Sequence, residues 1–253
     1  MTLYILTFII GTFIASFFMT LAERSLAEKN NSLKDILFSR SRCTSCGKNI
    51  SPLGLIPIIG FLAARGKCTC GSKINFIYPL SEIICGIVLT ASVYFNGISP
   101  VVIAEGIFLC NSLVIAYFDI KFMKISNLSI AAALIISIII IILTANPLYH
   151  LKIFAITSSV LLLFGYIFAG SIGWGDIKFI AVISLYSDLY ELIITLESAI
   201  LTGCAAGIII ALLKTKNLKI KLPFAPFITA GLFITHFAGN QIYKAFIIYI
   251  QQY

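Results

Sequence analysis

The sequence predicts an all-α polytopic membrane protein of about eight transmembrane helices, with a small cysteine-rich cytoplasmic loop domain. Three observations predict it. The 253 residues are 60% hydrophobic and 11% charged, with a mean hydropathy of +1.05, which no soluble domain of this length matches. Apolar runs near the ~20 residues that cross a bilayer core as helix recur along the chain. One polar stretch, residues 23–77, interrupts them and carries four cysteines in two close pairs.

The first run, 2–22, has no basic residue ahead of it and no clear cleavage site at Glu23-Arg24, so it reads as a retained helix rather than a signal peptide. The polar segment 23–77 follows. It is too small to build a strong core unaided. The remaining runs are 78–95, 99–118, 126–145, 149–169, 177–187, 192–213 and 224–250. The run 177–187 is too short to span untilted; it is tilted, partly buried or re-entrant. The chain therefore divides into a first transmembrane helix (1–22), the cysteine loop (23–77) and a membrane domain holding the remaining helices (78–253). Cys85, Cys110 and Cys204 fall inside apolar runs and read as small buried hydrophobes.

Lysine and arginine set the orientation. With the N-terminus outside, segment 23–77 is cytoplasmic and holds nine of the eighteen basic residues. Lys121, Lys124, Lys178, Lys214, Lys216, Lys219 and Lys221 fall on the same side, and only Lys152 and Lys244 fall outside. The net charge of +8 is thus a topology signal. It requires the lipid bilayer as partner and no nucleic acid.

In the loop, Cys43-Thr44-Ser45-Cys46-Gly47 has the form of a zinc knuckle, in which a tight turn aims two thiolates at one metal. Cys68-Thr69-Cys70-Gly71 is one residue shorter. Its thiols stand apart in an extended strand but converge if the backbone turns at Gly71. A reducing compartment disfavours two structural disulfides. The reading is a structural zinc held by Cys43, Cys46, Cys68 and Cys70, against a reduced, metal-free loop.

The stretch Gly173-Trp174-Gly175-Asp176-Ile177-Lys178 opens the short run. Its glycines permit backbone conformations closed to other residues and close approach by another chain segment. Charge counting puts Asp176 on the same membrane face as Asp119, which ends the run 99–118. Two carboxylates sharing a site do not both ionise cheaply, so one holds a proton. The charged one can then take a proton from water while the other donates to a carbonyl. Glu82 is also near this face; Glu105 and Glu197 fall in the outer halves of their helices. The only histidines, His150 and His236, suit neither a Ser-His triad nor a metal site there. The residues alone reach a pair of candidate acids. They would equally serve a small proton- or cation-coupled transporter, and a non-catalytic scaffold stands as a third reading.

At these residues the sequence resembles the type IV prepilin peptidases, Gly-x-Gly-Asp intramembrane aspartyl proteases. Gly173-Trp174-Gly175-Asp176-Ile177-Lys178 matches the family's Gly-x-Gly-Asp-x-Lys, with Gly173, Gly175 and Lys178 supporting the aspartate. Asp119 stands where the family has its other catalytic aspartate. Arg42-Cys43 through Cys46, Arg65-Gly66-Lys67-Cys68 and Tyr78-Pro79-Leu80-Ser81-Glu82 follow the loop pattern. Pro223-Phe224-Ala225-Pro226-Phe227 and Gly11-Thr12-Phe13 look like its late and opening motifs. Ser126 and Asn127 depart from the usual Pro-Asp, and Ala15 from an Asn. The resemblance implies cleavage of prepilin or pseudopilin leaders at the cytoplasmic face of the inner membrane. It also implies N-methylation of the new N-terminus with S-adenosylmethionine.

Overall fold

The computed structural model describes residues 1–27, 33–43, 45–144, 146–167, 173–213 and 222–251. The turn residues Lys214, Lys216, Lys219 and Lys221, counted above for orientation, lie outside the described residues. In chain order the helices are α1 (Thr2–Ala27), α2 (Leu33–Phe38), α3 (Ile59–Ala63), α4 (Ile77–Asn96), α5 (Pro100–Phe122) and α6 (Asn127–Leu143). They continue with α7 (Pro147–Ile167), α8 (Trp174–Ser184), α9 (Leu189–Leu213) and α10 (Ala225–Gln251). A 3-10 turn, Pro52–Leu55, sits in the loop. Among the described residues the only β pairings are two isolated bridges, Arg42 with Asn49 and Lys67 with Lys73.

Each of the eight apolar runs is a helix. Five of them, α1, α4, α5, α7 and α9, are long and apolar enough to cross a membrane. The apolar α6 has 17 residues. α8 has 11, about 16 Å of helix against a hydrocarbon core of about 30 Å. It is therefore too short to span untilted, as its sequence predicts.

Local chemistry sets the helix ends. Ser99 caps α5 by accepting the Val102 N–H at 3.1 Å, and Pro100 follows at the first position. Met123 closes α5 in the left-handed region (φ 53°) and donates its N–H to the Asp119 carbonyl at 2.8 Å. Ser126 caps α6 by accepting the Ser129 N–H at 3.3 Å. The chain thus turns sharply between Asp119 and the start of α6.

α5 is the centre of the bundle, packed against α1, α4, α6 and α10. Its most apolar window is 61% buried inside the protein, against 11% for α7 and 6% for α9, so the latter two present most of their surface to lipid. Close approaches hold the pairs. A Cβ on Gly11 of α1 would stand 2.6 Å from the Cys85 carbonyl oxygen of α4. One on Gly231 of α10 would stand 2.2 Å from the Thr195 carbonyl oxygen of α9. Cys85 and Cys110 are buried where these helices meet, as expected. Cys204 is exposed, because it lies on the lipid-facing surface of α9 rather than in the core.

Candidate active site and cysteine knuckle

The end of α5, the starts of α6, α8 and α10, and the loop between α1 and α4 meet at one end of the bundle. Asp119, 6% exposed, sits in the last turns of α5. Its Oδ2 accepts the Ala225 N–H at 3.2 Å. Ala225 begins α10, and the first N–H groups of a helix lack partners within it. A carboxylate is favoured at such an end by the helix dipole as well. The Pro223-Phe224-Ala225-Pro226-Phe227 stretch therefore has a physical role: it starts a helix against Asp119.

Asp176 lies in the first turn of α8, within electrostatic reach of Asp119. Its Oδ1 is buried and has no hydrogen-bond partner. The two aspartates paired by charge counting are thus brought together. They differ in surroundings: one is held by a helix N-terminus, the other is unheld.

The glycines around Asp176 act through space, not conformation. Gly173 has φ −68° and ψ 133°, open to any residue, and neither glycine has positive φ. A Cβ on Gly173 would come within 2.8 Å of Asp176 Oδ2. One on Gly175 would come within 3.1 Å of the Ile125 Cβ, just before α6. Lys178, one turn past Gly175, donates from Nζ to Asn127 Oδ1 at 3.1 Å. That bond ties α8 to the start of α6. The sequence marked Asn127 only as a departure from a pattern, although an amide can accept from lysine where a carboxylate would otherwise do so.

Several other acids have structural partners. Glu82 is buried at the start of α4, and its Oε2 accepts the N–H of Ile58 at 2.7 Å. Ile58 has φ 62°, a strained conformation for a β-branched residue, so Glu82 secures a turn of the loop. The Tyr78 hydroxyl donates to Glu23 at the end of α1. The first contact pins the loop to α4 and the second joins α4 to α1; Glu23 and its pairing with Tyr78 were not singled out from the sequence. Glu105 pairs with His236 at 3.4 Å, near the opposite end. Glu197 is exposed on α9.

The four loop cysteines converge. Their sulfurs all lie within 4.8 Å of one another, with Cys43 to Cys70 at 3.9 Å and Cys46 to Cys68 at 4.0 Å. Four thiolates around zinc at about 2.3 Å stand about 3.8 Å apart in a tetrahedron, so the donors fit that ion. Each pair sits in a turn closed by a glycine of positive φ. Gly47 (φ 70°) donates to the Cys43 carbonyl at 2.9 Å, and Gly71 (φ 86°) to that of Cys68 at 2.8 Å. The short Cys-x-Cys spacing works because the backbone turns at Gly71.

The thiols are electrostatically uneven. The Ser72 hydroxyl, aided by the Cys46 and Ser45 backbone, pushes the Cys43 thiol down to about 5. Ser72 also lowers Cys70. The Lys48 backbone favours the thiolate of Cys46, but desolvation and the neighbouring thiols together outweigh it and push Cys46 up to about 11. Four clustered thiols resist full deprotonation without a cation among them. This tetrad could bind a metal.

Comparison with known proteins gives the family. The Bacterial Peptidase A24 N-terminal domain matches residues 9–95, and the Type IV leader peptidase family matches residues 106–212. A protein of Bacillus subtilis (strain 168) named prepilin leader peptidase/N-methyltransferase is 30% identical over 95% of this chain and 96% of its own. Proteins of the same name from Pseudomonas aeruginosa and Dichelobacter nodosus are 23% and 25% identical. They cover 87% and 84% of this chain, and 79% and 76% of their own lengths. No solved structure matches the chain. Matched in order along both parts and nearly end to end by a relative at 30% identity, the chain belongs to the type IV leader peptidase family.

Proposed function

We propose that Asp119 and Asp176 form the water-activating dyad of an intramembrane aspartic endopeptidase. The observation that carries this is their meeting at one end of the bundle, one capped by α10 and one with a buried oxygen unpartnered. Asp119, steadied by the Ala225 N–H, takes the proton from water. Asp176 holds the proton the pair shares, donates it toward the scissile carbonyl, and the pair then protonates the leaving amine. Gly173, Gly175 and Lys178 position Asp176 and touch no substrate.

The chain is a prepilin leader peptidase with N-methyltransferase activity, acting on leaders of prepilins or pseudopilins. It is an integral membrane protein. The N-terminus lies outside, and the loop 23–77 and the dyad lie on the cytoplasmic side, on the strength of the lysine and arginine bias. That side is where a basic leader meets an apolar pilin helix. The chain divides at 22 and 77, with residues 78–253 as the peptidase domain. Zinc on Cys43, Cys46, Cys68 and Cys70 holds the loop's shape and takes no part in cleavage, since four thiols leave no open position. S-adenosylmethionine is a co-substrate for methylation. A transporter using the same aspartates is not favoured, because the family is a peptidase family.

Incubating the purified protein with a prepilin and weighing the product tests this reading. The expected product is the pilin without its leader, and one methyl group heavier when S-adenosylmethionine is supplied. An intact prepilin contradicts the peptidase reading; a cleaved but unmethylated one removes the transferase.

A further inference from the structure

The end of the bundle away from the aspartates carries an open cavity of about 580 Å³. Glu105 from the first turns of α5, and Asp188 and Glu191 around the start of α9, border it. Glu191 lies within electrostatic reach of both Asp188 and Glu105, and among the described residues no Lys or Arg lines the space. Glu191 accepts the Asp188 N–H at 3.0 Å and the Tyr190 hydroxyl at 3.4 Å. The carboxylate of Asp188 makes no hydrogen bond or ion pair among the described residues. His236 faces Glu105 from α10 and offsets part of one charge.

A second observation is independent of the acids. His150, on α7, borders the same cavity and is 7% exposed, and its buried Nδ1 has no partner. A buried polar atom left unpaired carries a desolvation cost that a bound donor would relieve. The cleavage chemistry uses none of these residues.

We propose that this cavity binds an aliphatic polyamine, a flexible cation with several ammonium groups along one chain. Its N–H groups would donate to Glu105, Asp188 and Glu191, and one to His150 Nδ1. The rings of Tyr186 and Tyr190 line the same cavity. The spacing of the acids favours an extended cation over a single small ion. Among the described residues only the four loop cysteines bring three or more ligand atoms within 4.8 Å. The volume falls within the range of roughly 300–1,000 Å³ usual for small-molecule sites.

The test is calorimetric titration of spermidine into the full-length protein in phosphatidylcholine nanodiscs, at fixed ionic strength, with magnesium chloride as the parallel arm. Saturable spermidine binding is expected, weakened about tenfold in Glu191→Gln and in Asp188→Asn by loss of a charge-assisted bond. Asp119→Asn should bind as the parent does, which separates this site from the dyad. Normal prepilin cleavage by Glu191→Gln would show that the variant is folded. Absent binding, binding unaltered in both variants, or tighter binding of magnesium than of spermidine overturns the proposal.

Discussion

Asp119 and Asp176 carry the same chemical group in different surroundings, and the proposed dyad gives them different work. Asp119 faces an N–H that has no partner within its own helix, and a carboxylate satisfies it. Asp176 has a buried oxygen with nothing to satisfy it, so it is the better holder of a shared proton. Lys178 ties α8, which carries Asp176, to the start of α6 through Asn127. Lys178→Met should lower stability by about 1 kcal/mol, the usual worth of such a bond, and should slow cleavage by loosening α8. Asn127→Asp should retain both, since a carboxylate also accepts from lysine. Thermal melting and prepilin processing check the pair. Unchanged melting and cleavage in Lys178→Met would remove its positioning role.

Among the helices, two junctions depend on missing side chains. A Cβ on Gly11 meets backbone that cannot swing aside. Gly11→Ala should therefore force α1 from α4 at a cost of about 1–3 kcal/mol. Gly203→Ala meets only the Phe227 and Phe224 rings, at 3.5 and 3.6 Å in ordinary van der Waals contact, and should melt nearly as the parent does. Equal melting temperatures for the two variants would contradict this packing. The cysteine loop makes a separate prediction. The purified protein should hold about one zinc per chain. Cys70→Ser should lose the metal and loosen the loop, read by metal analysis and protease susceptibility. A Cys70→Ser variant that keeps its zinc would refute the four-thiol site.

For the fold as a unit, burial in lipid makes the helices legible, because a span must be apolar for its whole length. That is why residues 78–95 and 99–118 were readable as α4 and α5, and why the run 177–187 was readable as too short to span untilted. What stayed hidden is which helices touch. Hydropathy gives no partner, so neither the pairing of α1 with α4 nor the central place of α5 could be seen. The same limit applies at the site. Charge bias put Asp119 and Asp176 on one face, but the Ala225 N–H, Asn127 and Glu23 act across long sequence separations and leave no local pattern. The glycines of Gly173-Trp174-Gly175 were read for backbone freedom and for close approach, and only the close approach is used. Glu105 and His236 likewise meet only in the folded bundle.

If the two aspartates act as one unit, neither can replace the other, and removing both is little worse than removing one. Membranes containing Asp119→Asn, Asp176→Asn, the double variant or the exposed control Glu197→Gln, at matched expression, should be assayed for prepilin cleavage. Each single Asp→Asn variant should lose at least about a hundredfold in rate, the double variant little more, while Glu197→Gln cleaves nearly as the parent does. Substantial cleavage by either single aspartate variant would contradict the dyad.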